Sequence, residues 1–436
     1  MAARGAALSD EAFVWAWLPG ATTPVVAGVV ERTSAGLSFT YAESYLARAE
    51  VIPLYSPELP LRQGIIDPGP GLRFAGSLRD AAPDAWGQRI ILARRSESGL
   101  AIDPDDVLTF MLDSGSDRIG ALDFQPDPRE YRGRGDPADL DELISAGSRF
   151  AEGEVFSEAL AAALMHGTSV GGARPKALLS TREPGQPARH VIAKFSLTSD
   201  PYPVVKAEAV AMSLARRVGL NVAGTSLIQR VGRDVLLVDR FDRPGTIGSV
   251  AGIEGERRLV VSALTLLGLG EEFGRYATYP AIADQIRRRF NDPAATLREL
   301  FSRLVFSILI SNTDDHARNH AAFWDGNALT LTPAYDLSPQ ARSGDTAAQA
   351  MAMTRDGARA SRLAVAKRAA GDVFNLSDDD AAATIDEQVT IIREQWAEAA
   401  DEALLTAADR QLLWERLILN PAVFYPEDAA FDAIGP

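Results

Sequence analysis

An apolar run, Leu304, Val305, Phe306, Ile308, Leu309 and Ile310, ends abruptly in a polar cluster. Asn312, Asp314, Asp315, His316 and Asn319 all fall within eight residues. The run is helix-like in length and continuous enough to be buried. A polar cluster at the end of a buried element is costly unless it binds something. Any fold for this chain has to bring that cluster to a surface where it can be used.

The residues that follow indicate where the cluster points. Residues 321–324 and 328–331 read as two short strands, and Asp325-Gly326-Asn327 between them is a hairpin-turn signal. Folding the chain at Gly326 returns residues near Thr332 to the neighbourhood of Asn319, and Asp336 then emerges close by. Asp314, Asn319 and Asp336 are expected to share one mouth, which is the arrangement phosphoryl transfer requires. One carboxylate takes or orients a hydroxyl proton, while an amide oxygen and a second carboxylate hold magnesium against ATP phosphates. Hard oxygen ligands without thiolates suit Mg²⁺. Taken singly, an Asp, Asn or His after a helix also serves as a cap or turn former. The ordered set, with its apolar lead-in and hairpin spacing, carries the chemical reading.

Composition narrows the classes. With 436 residues there is room for two or three domains, and 46% hydrophobic with 24% charged residues is ordinary for a globular chain. The chain has no cysteine, which excludes disulfides and Cys-based zinc sites, and its four histidines leave little room for a His-rich metal site. Residues 1–11 turn acidic without a long apolar core, so no signal peptide is expected, and no apolar run is long enough for a membrane span. A cytoplasmic location is the expectation. The net charge of −15, from 44 basic and 59 acidic residues, repels phosphate backbones. Any DNA contact is therefore expected through a partner.

In chain order, residues 13–18, 25–30 and 37–41 read as three strands of an antiparallel meander, separated by Pro19-Gly20 and by Ser34 to Gly36. Residues 53–70 read as a loop, 77–94 and 106–112 as helices, 119–124 as a returning strand, and 126–137 as a charged linker. Residues 138–166 look helical. Residues 167–176 then form a Gly-rich stretch, Gly167-Thr-Ser-Val-Gly-Gly-Ala-Arg-Pro-Lys176, where small residues let backbone N–H groups approach a polyphosphate. The motif is neither of the common Gly-rich phosphate loops, and a Gly-Gly pair is often only a turn. If the flanking strands 177–180 and 190–195 pair about Gly185, Lys176 and Lys194 sit opposite each other beneath that loop as a phosphate cradle.

Residues 204–218 read as an amphipathic helix closed by Gly219, with Glu208 either facing Lys194 or lying on the surface near Lys206. A strand over 235–243 ends in alternating charge. Residues 260–269, 280–290, 297–310 and 378–400 read as helices, the last capped by Ser377 with Asp378 to Asp380 in its first turn. Residues 421–436 read as a loosely held tail.

The motifs Asn312-Thr-Asp-Asp-His-Ala-Arg-Asn319 and Ala334-Tyr-Asp-Leu-Ser-Pro339 resemble the catalytic and metal-binding segments of HipA-type serine/threonine kinases, the toxins of bacterial toxin–antitoxin pairs. Ser169 to Lys176, Pro83-Asp-Ala-Trp-Gly87 and Gly120-Ala-Leu-Asp-Phe124 extend the resemblance over most of the chain. The His-Arg-Asp and Asp-Phe-Gly motifs of eukaryotic-type kinases are absent.

The resemblance implies an α+β, protein-kinase-like two-lobed fold. An N-terminal β-rich subdomain (1–125) leads to a small lobe (138–243) and a mainly helical large lobe (244–436). It implies Asp314 as catalytic aspartate and Asn319 and Asp336 as metal ligands. ATP contacts are implied at Ser169, Val170, Gly171, Gly172, Ala173, Lys176, Lys194, Asp239, Arg240, Phe241, His316, Asn319, Tyr335 and Asp336. Lys194 is similar to the strand lysine that anchors ATP, and 239–241 to the hinge that meets adenine. Ser169 aligns with the serine at which family members modify and silence themselves. The implied partners are a protein with a Ser or Thr acceptor, of which translation factors are the family's class, and a small helix-turn-helix antitoxin. A pseudokinase and an antitoxin-dependent transcriptional co-regulator are the alternatives.

Overall fold

The computed structural model describes residues 9–99, 103, 106–134, 143–146, 149, 176–181, 189–244, 255–341 and 347–426. The chain divides into two units. Met1–Ser199, Ile228–Gly270 and Ala322–Leu329 make the first, and Asp200–Leu227, Glu271–Ala321 and Thr330–Pro436 the second.

In the first unit, valine- and aromatic-rich stretches form β1 (Glu11–Ala16), β2 (Val25–Thr33) and β3 (Gly36–Tyr41). They pair antiparallel as expected, with Val30 opposite Phe39 and Phe13 opposite Val29. Two short strands, β4 (Ile65–Ile66) and β5 (Leu122–Gln125), complete a sheet of order β4-β3-β2-β1-β5. The expected single helix over 77–94 is instead a turn at Gly76–Arg79 followed by α1 (Ala85–Glu97). Pro83 lies in the gap, where its missing N–H and fixed φ do not allow the helix to run on. Asp84 caps α1 by accepting from Gly87 N at 3.3 Å. α2 (Val107–Asp113) follows close to its expected position.

The segment read as a linker is anchored over 126–134. Tyr131 packs between Trp15 and Trp17, each ring 5.4 Å away, and Arg134 donates to the Phe124 carbonyl and to Asp123. Aromatic burial outweighs the charge-rich composition there.

A second sheet, order β6-β7-β9-β8, contains β6 (Lys176–Thr181), β7 (Arg189–Phe195), β8 (Thr225–Arg230) and β9 (Arg233–Asp239). β6 and β7 pair antiparallel with Lys176 opposite Lys194, the register expected for pairing about Gly185. Ala177, Leu179, Val191, Ala193, Phe195, Val235 and Leu237 face a core shared with Trp86 and Ile90 of α1 and with Leu143 and Ile144. Residues 143–146 are helical. The rest of the expected helical stretch 138–166 (apart from Arg149) and the Gly-rich loop through Pro175 lie outside the described residues.

The third sheet has order β10-β11-β12, from β10 (Leu259–Ser262), β11 (Ala321–Trp324) and β12 (Leu329–Leu331). Residues 260–269 were expected to be helical. The chain instead runs as a strand through the β-branched pair Val260-Val261, and only Ala263–Leu266 forms a helical turn, capped by Ser262. The hairpin turn is where expected: the Asp325 carboxylate accepts from Asn327 N and Ala328 N, and Gly326 adopts φ +99°. Trp324 Nε1 donates to the Pro53 carbonyl at 2.8 Å, holding the tip within the first unit.

The second unit is helical: α3 (Val204–Arg217), α4 (Tyr279–Arg289), α5 (Pro293–Leu309), α6 (Leu363–Phe374), α7 (Asp378–Glu402) and α8 (Ala407–Leu413). α5 is the buried apolar run; Asp292 caps it and Pro293 stands in its first turn, where a missing N–H costs nothing. Ser377 caps α7 as expected, accepting from Asp380 N. α3 was expected to be amphipathic, yet Val204 to Ala215 are all buried, Glu208 among them. Its many alanines let neighbours approach from several sides, so the surface placement of Glu208 does not hold. The tail begins later than expected, because Ala422 and Val423 are buried in a short 3₁₀ turn. Among the described residues no helix is long and apolar enough to cross a membrane.

Candidate active site

In the second unit, α5 stops at Ser311, which takes a left-handed φ of +55°. Its hydroxyl donates to the Leu417 carbonyl at 2.6 Å, and its own carbonyl accepts from Gln340 N at 2.9 Å. Asn312 is buried; its N–H returns to Ser307 O and its side-chain amide reaches the Ser307 hydroxyl. The expected role of Asn312 in an open polar cluster is therefore replaced by a helix-ending one.

The loop then turns outward. Asp314 is exposed, and its carbonyl accepts from His316 N at 2.9 Å and from Asn319 Nδ2 at 3.2 Å. Asn319 N donates to His316 O at 2.9 Å. Donation through Nδ2 leaves the Asn319 Oδ1 oxygen as the remaining face of the amide. The hairpin base closes below, where Thr332 N and its hydroxyl both donate to Ala321 O. Arg303, buried on α5, donates to Thr332 O at 2.8 Å and fixes the returning strand. Tyr335 Oη donates to Arg318 O at 2.7 Å, bringing the Tyr335-Asp336 segment against the loop. Asp336 itself stands at φ +59°, a left-handed conformation that Asp tolerates better than most residues.

Electrostatics report the convergence of the two carboxylates. Although Asp314 is exposed, the surrounding loop withdraws its carboxyl partly from water, and this partial desolvation raises it above the ordinary carboxylate range; the His316 imidazole opposes this, and the negative charges of Asp336 and Asp315 add to it. Asp336 therefore lies within electrostatic reach of Asp314, with the Asn319 amide on the same loop.

Among the described residues no three His, Cys, Asp or Glu side chains gather into a metal cage. One carboxylate, one amide oxygen and a neighbouring carboxylate fit a hard cation that keeps much of its water, such as Mg²⁺, and suit zinc poorly.

In the first unit, Lys176 is buried and Lys194 half-buried, and both lie on the face of β6 and β7 opposite the apolar core. Asp239 is half-exposed and pairs with Arg189 at 3.1 Å. Phe241 packs edge-on to Phe323 at 5.7 Å.

The expectation for the Arg240 side chain needs correcting. Its guanidinium is fully buried, bound to Asp117 at 2.6 Å, to Asp242 at 2.8 Å and to the Arg118 carbonyl at 2.6 Å, while its N–H extends the sheet to His190 O. A cation held by two carboxylates and a carbonyl is not open to a nucleotide. Ser169, Val170, Gly171, Gly172 and Ala173 lie outside the described residues.

Sequence reasoning passed over the support of the loop. Asp315 is buried beside the exposed Asp314, and its Oδ2 accepts from the hydroxyls of Tyr279 and of Ser307. His320 Nε2 stands 2.9 Å from Asp315 Oδ1. Burial pushes Asp315 up, but His320 and the donor hydroxyls outweigh it and hold the carboxyl below its ordinary range. For Tyr279, burial and then the Asp315 charge push the phenol well above its usual value.

The family model for the HipA-like C-terminal domain matches residues 168–396, and that for the HipA N-terminal domain matches residues 21–125. The chain belongs to the HipA family. Among its relatives, Y4mE of Sinorhizobium fredii, named as a kinase, is 27% identical over 323 residues, covering 69% of this chain and 71% of that protein. The serine/threonine-protein kinase toxin HipA of Shewanella oneidensis is 27% identical over 144 residues, 30% of this chain and 33% of that one.

HipA in the solved complex of the Shewanella oneidensis toxin–antitoxin system, with HipB and operator DNA, aligns at a TM-score of 0.68 and 17% identity. The alignment covers 94% of this chain and 99% of that one. The fold of this HipA-family chain is accordingly α+β and protein-kinase-like.

Proposed function

We propose that this HipA-family chain is an ATP-dependent protein serine/threonine kinase. The observation that carries the reading is geometric: Tyr335 Oη donates to Arg318 O and holds the Tyr335-Asp336 segment against the loop that presents Asp314 and the Asn319 amide, with the Asp336 charge felt at Asp314. Asn319 and Asp336 would hold magnesium, which when bound neutralises charge on the phosphate oxygens. Asp314 orients the acceptor hydroxyl and takes its proton as the acceptor oxygen bonds to the γ-phosphorus. The bond from that phosphorus to the bridging oxygen breaks, and ADP departs. A carboxylate raised above its usual range by partial desolvation and neighbouring negative charge is the better base for this step. Lys176 and Lys194 are assigned to ATP phosphates on the strength of their shared register and the family resemblance.

The finer assignments rest on the same footing. Silencing by a phosphate on Ser169 follows from competition with ATP for the same cations. A small helix-turn-helix antitoxin is the expected partner, since the aligned HipA was solved with HipB and operator DNA. With a net charge of −15, this chain would meet DNA through such a partner. A cytoplasmic location agrees with these roles.

The test is transfer of labelled γ-phosphate from Mg·ATP to the chain itself and to a protein acceptor. Asp314→Asn is expected to lower transfer about 10²- to 10⁴-fold with an unchanged melting curve. Wild-type transfer by Asp314→Asn would remove its assigned role.

A further inference from the structure

A buried carboxylate is costly unless its partners compensate, and Asp315 is kept ionic next to a residue that faces solvent. Two of its three partners lie outside the loop that carries Asp314 and Asn319, and the third stands where that loop ends. Tyr279 opens α4, Ser307 lies in the last turns of α5, and His320 leads into β11. Its Oδ2 accepts from two hydroxyls, and its Oδ1 stands 2.9 Å from the His320 imidazole. Tyr279 is itself immobilised: its N–H donates to Ala352 O, and its ring packs against His320 and Phe374 at 5.7 and 6.4 Å. Three elements therefore converge on the buried residue directly after the exposed Asp314.

We propose that Asp315, clamped by Tyr279, Ser307 and His320, is a positioning residue that fixes where the Asp314 carboxylate stands in the phosphoryl-transfer reaction. The assignment rests on the kinase reading above. If Asp315 shifts, the peptide it shares with Asp314 shifts with it. A displacement of about 1 Å in a reacting group costs on the order of 10²-fold in rate. No clamp residue is among those assigned to the nucleotide, the metal or the acceptor, so releasing it should lower kcat and leave nucleotide affinity alone.

The test compares full-length wild type, Asp315→Asn and Tyr279→Phe in steady-state phosphate transfer from Mg·ATP, with thermal melting of each. Tyr279→Phe removes one hydroxyl and keeps the ring, so it reports even if Asp315→Asn fails to fold. Gln388→Met serves as control: it deletes a buried bond from α7 to the Ser302 carbonyl, remote in sequence from the clamp. The expected result is a fall in kcat of about tenfold or more for Tyr279→Phe, with KM for Mg·ATP within about twofold of wild type. Gln388→Met should lose melting temperature and keep its kcat. The assignment is overturned if Tyr279→Phe retains wild-type kcat, or loses activity only in proportion to the folded fraction lost. A wild type that transfers no phosphate at all would sink the kinase reading, and this assignment with it.

Discussion

Asp314 and Asp315 are neighbours in the chain whose carboxylates meet opposite surroundings, one crowded by negative charge near the surface and the other buried among donors. On the mechanism proposed above, that contrast separates a side chain placed to react from one placed to hold. Asp314, Asn319 and Asp336 could be picked out from the sequence because a turn signal at Gly326 sits midway between them, and pairing about that turn is simple geometry. The clamp could not, since Tyr279 lies 36 residues before Asp315 and nothing local marks it. The burial of the Arg240 side chain was hidden for a related reason, since Asp117, which pairs with it, comes from a distant segment.

The left-handed backbone at Asp336 leads to a prediction at this scale. Asn tolerates that conformation and a β-branched residue does not. Asp336→Asn should therefore melt like wild type, while Asp336→Val should lose about 1–2 kcal/mol in urea titration. Equal stability of the two would mean that the backbone there is not constrained.

At the scale of elements, strands and helices were legible where local pattern and tertiary need agreed. The meander 11–41, the cap at Ser377 and the α5 run are of this kind. Val260 to Leu269 failed because its composition suits helix or strand equally, and pairing with β11 decided for strand. The 77–94 stretch failed because its periodicity crosses Pro83, which ends any helix that meets it.

β2 carries a close approach that no propensity reveals. A Cβ added at Gly28 would stand 2.2 Å from the Thr40 carbonyl and 2.6 Å from the Phe39 ring. The carbonyl belongs to the paired strand and cannot step aside. Gly28→Ala is thus expected to destabilise by about 1–3 kcal/mol, read as a lower urea midpoint with an unchanged slope. An unchanged midpoint would mean that the sheet yields more readily than its hydrogen bonding implies.

For the whole molecule, a buried ionic network joins the segment 117–123 to 240–243 within the first unit. Arg118 pairs with Asp123 at 2.7 Å, and Arg243 with Asp242 at 2.6 Å and with Asp117 at 3.0 Å. Burial pushes Asp117, Asp123 and Asp242 upward, but the surrounding arginines win and hold all three below the ordinary carboxylate range. A folded pKa below the unfolded one gives stability that is present above the unfolded value, about 3.9, and lost as pH falls through the folded one. The melting temperature should therefore hold from neutrality to about pH 5 and fall steeply below about pH 4. Asp242→Asn should be less stable by about 3–5 kcal/mol already at pH 7, since it strands buried arginine charge. A variant as stable as wild type at pH 7 would contradict this account of the network.

The central claim is that Asp336 and Asn319 hold a divalent cation for a nucleotide engaged by the same protein. Calorimetric titration of ATP into the full chain, with and without Mg²⁺, measures this directly. Magnesium should tighten ATP binding to wild type by about tenfold or more, and Asp336→Asn should erase that gain while keeping the metal-free affinity. A full magnesium enhancement in Asp336→Asn, or none in wild type, would contradict the claim.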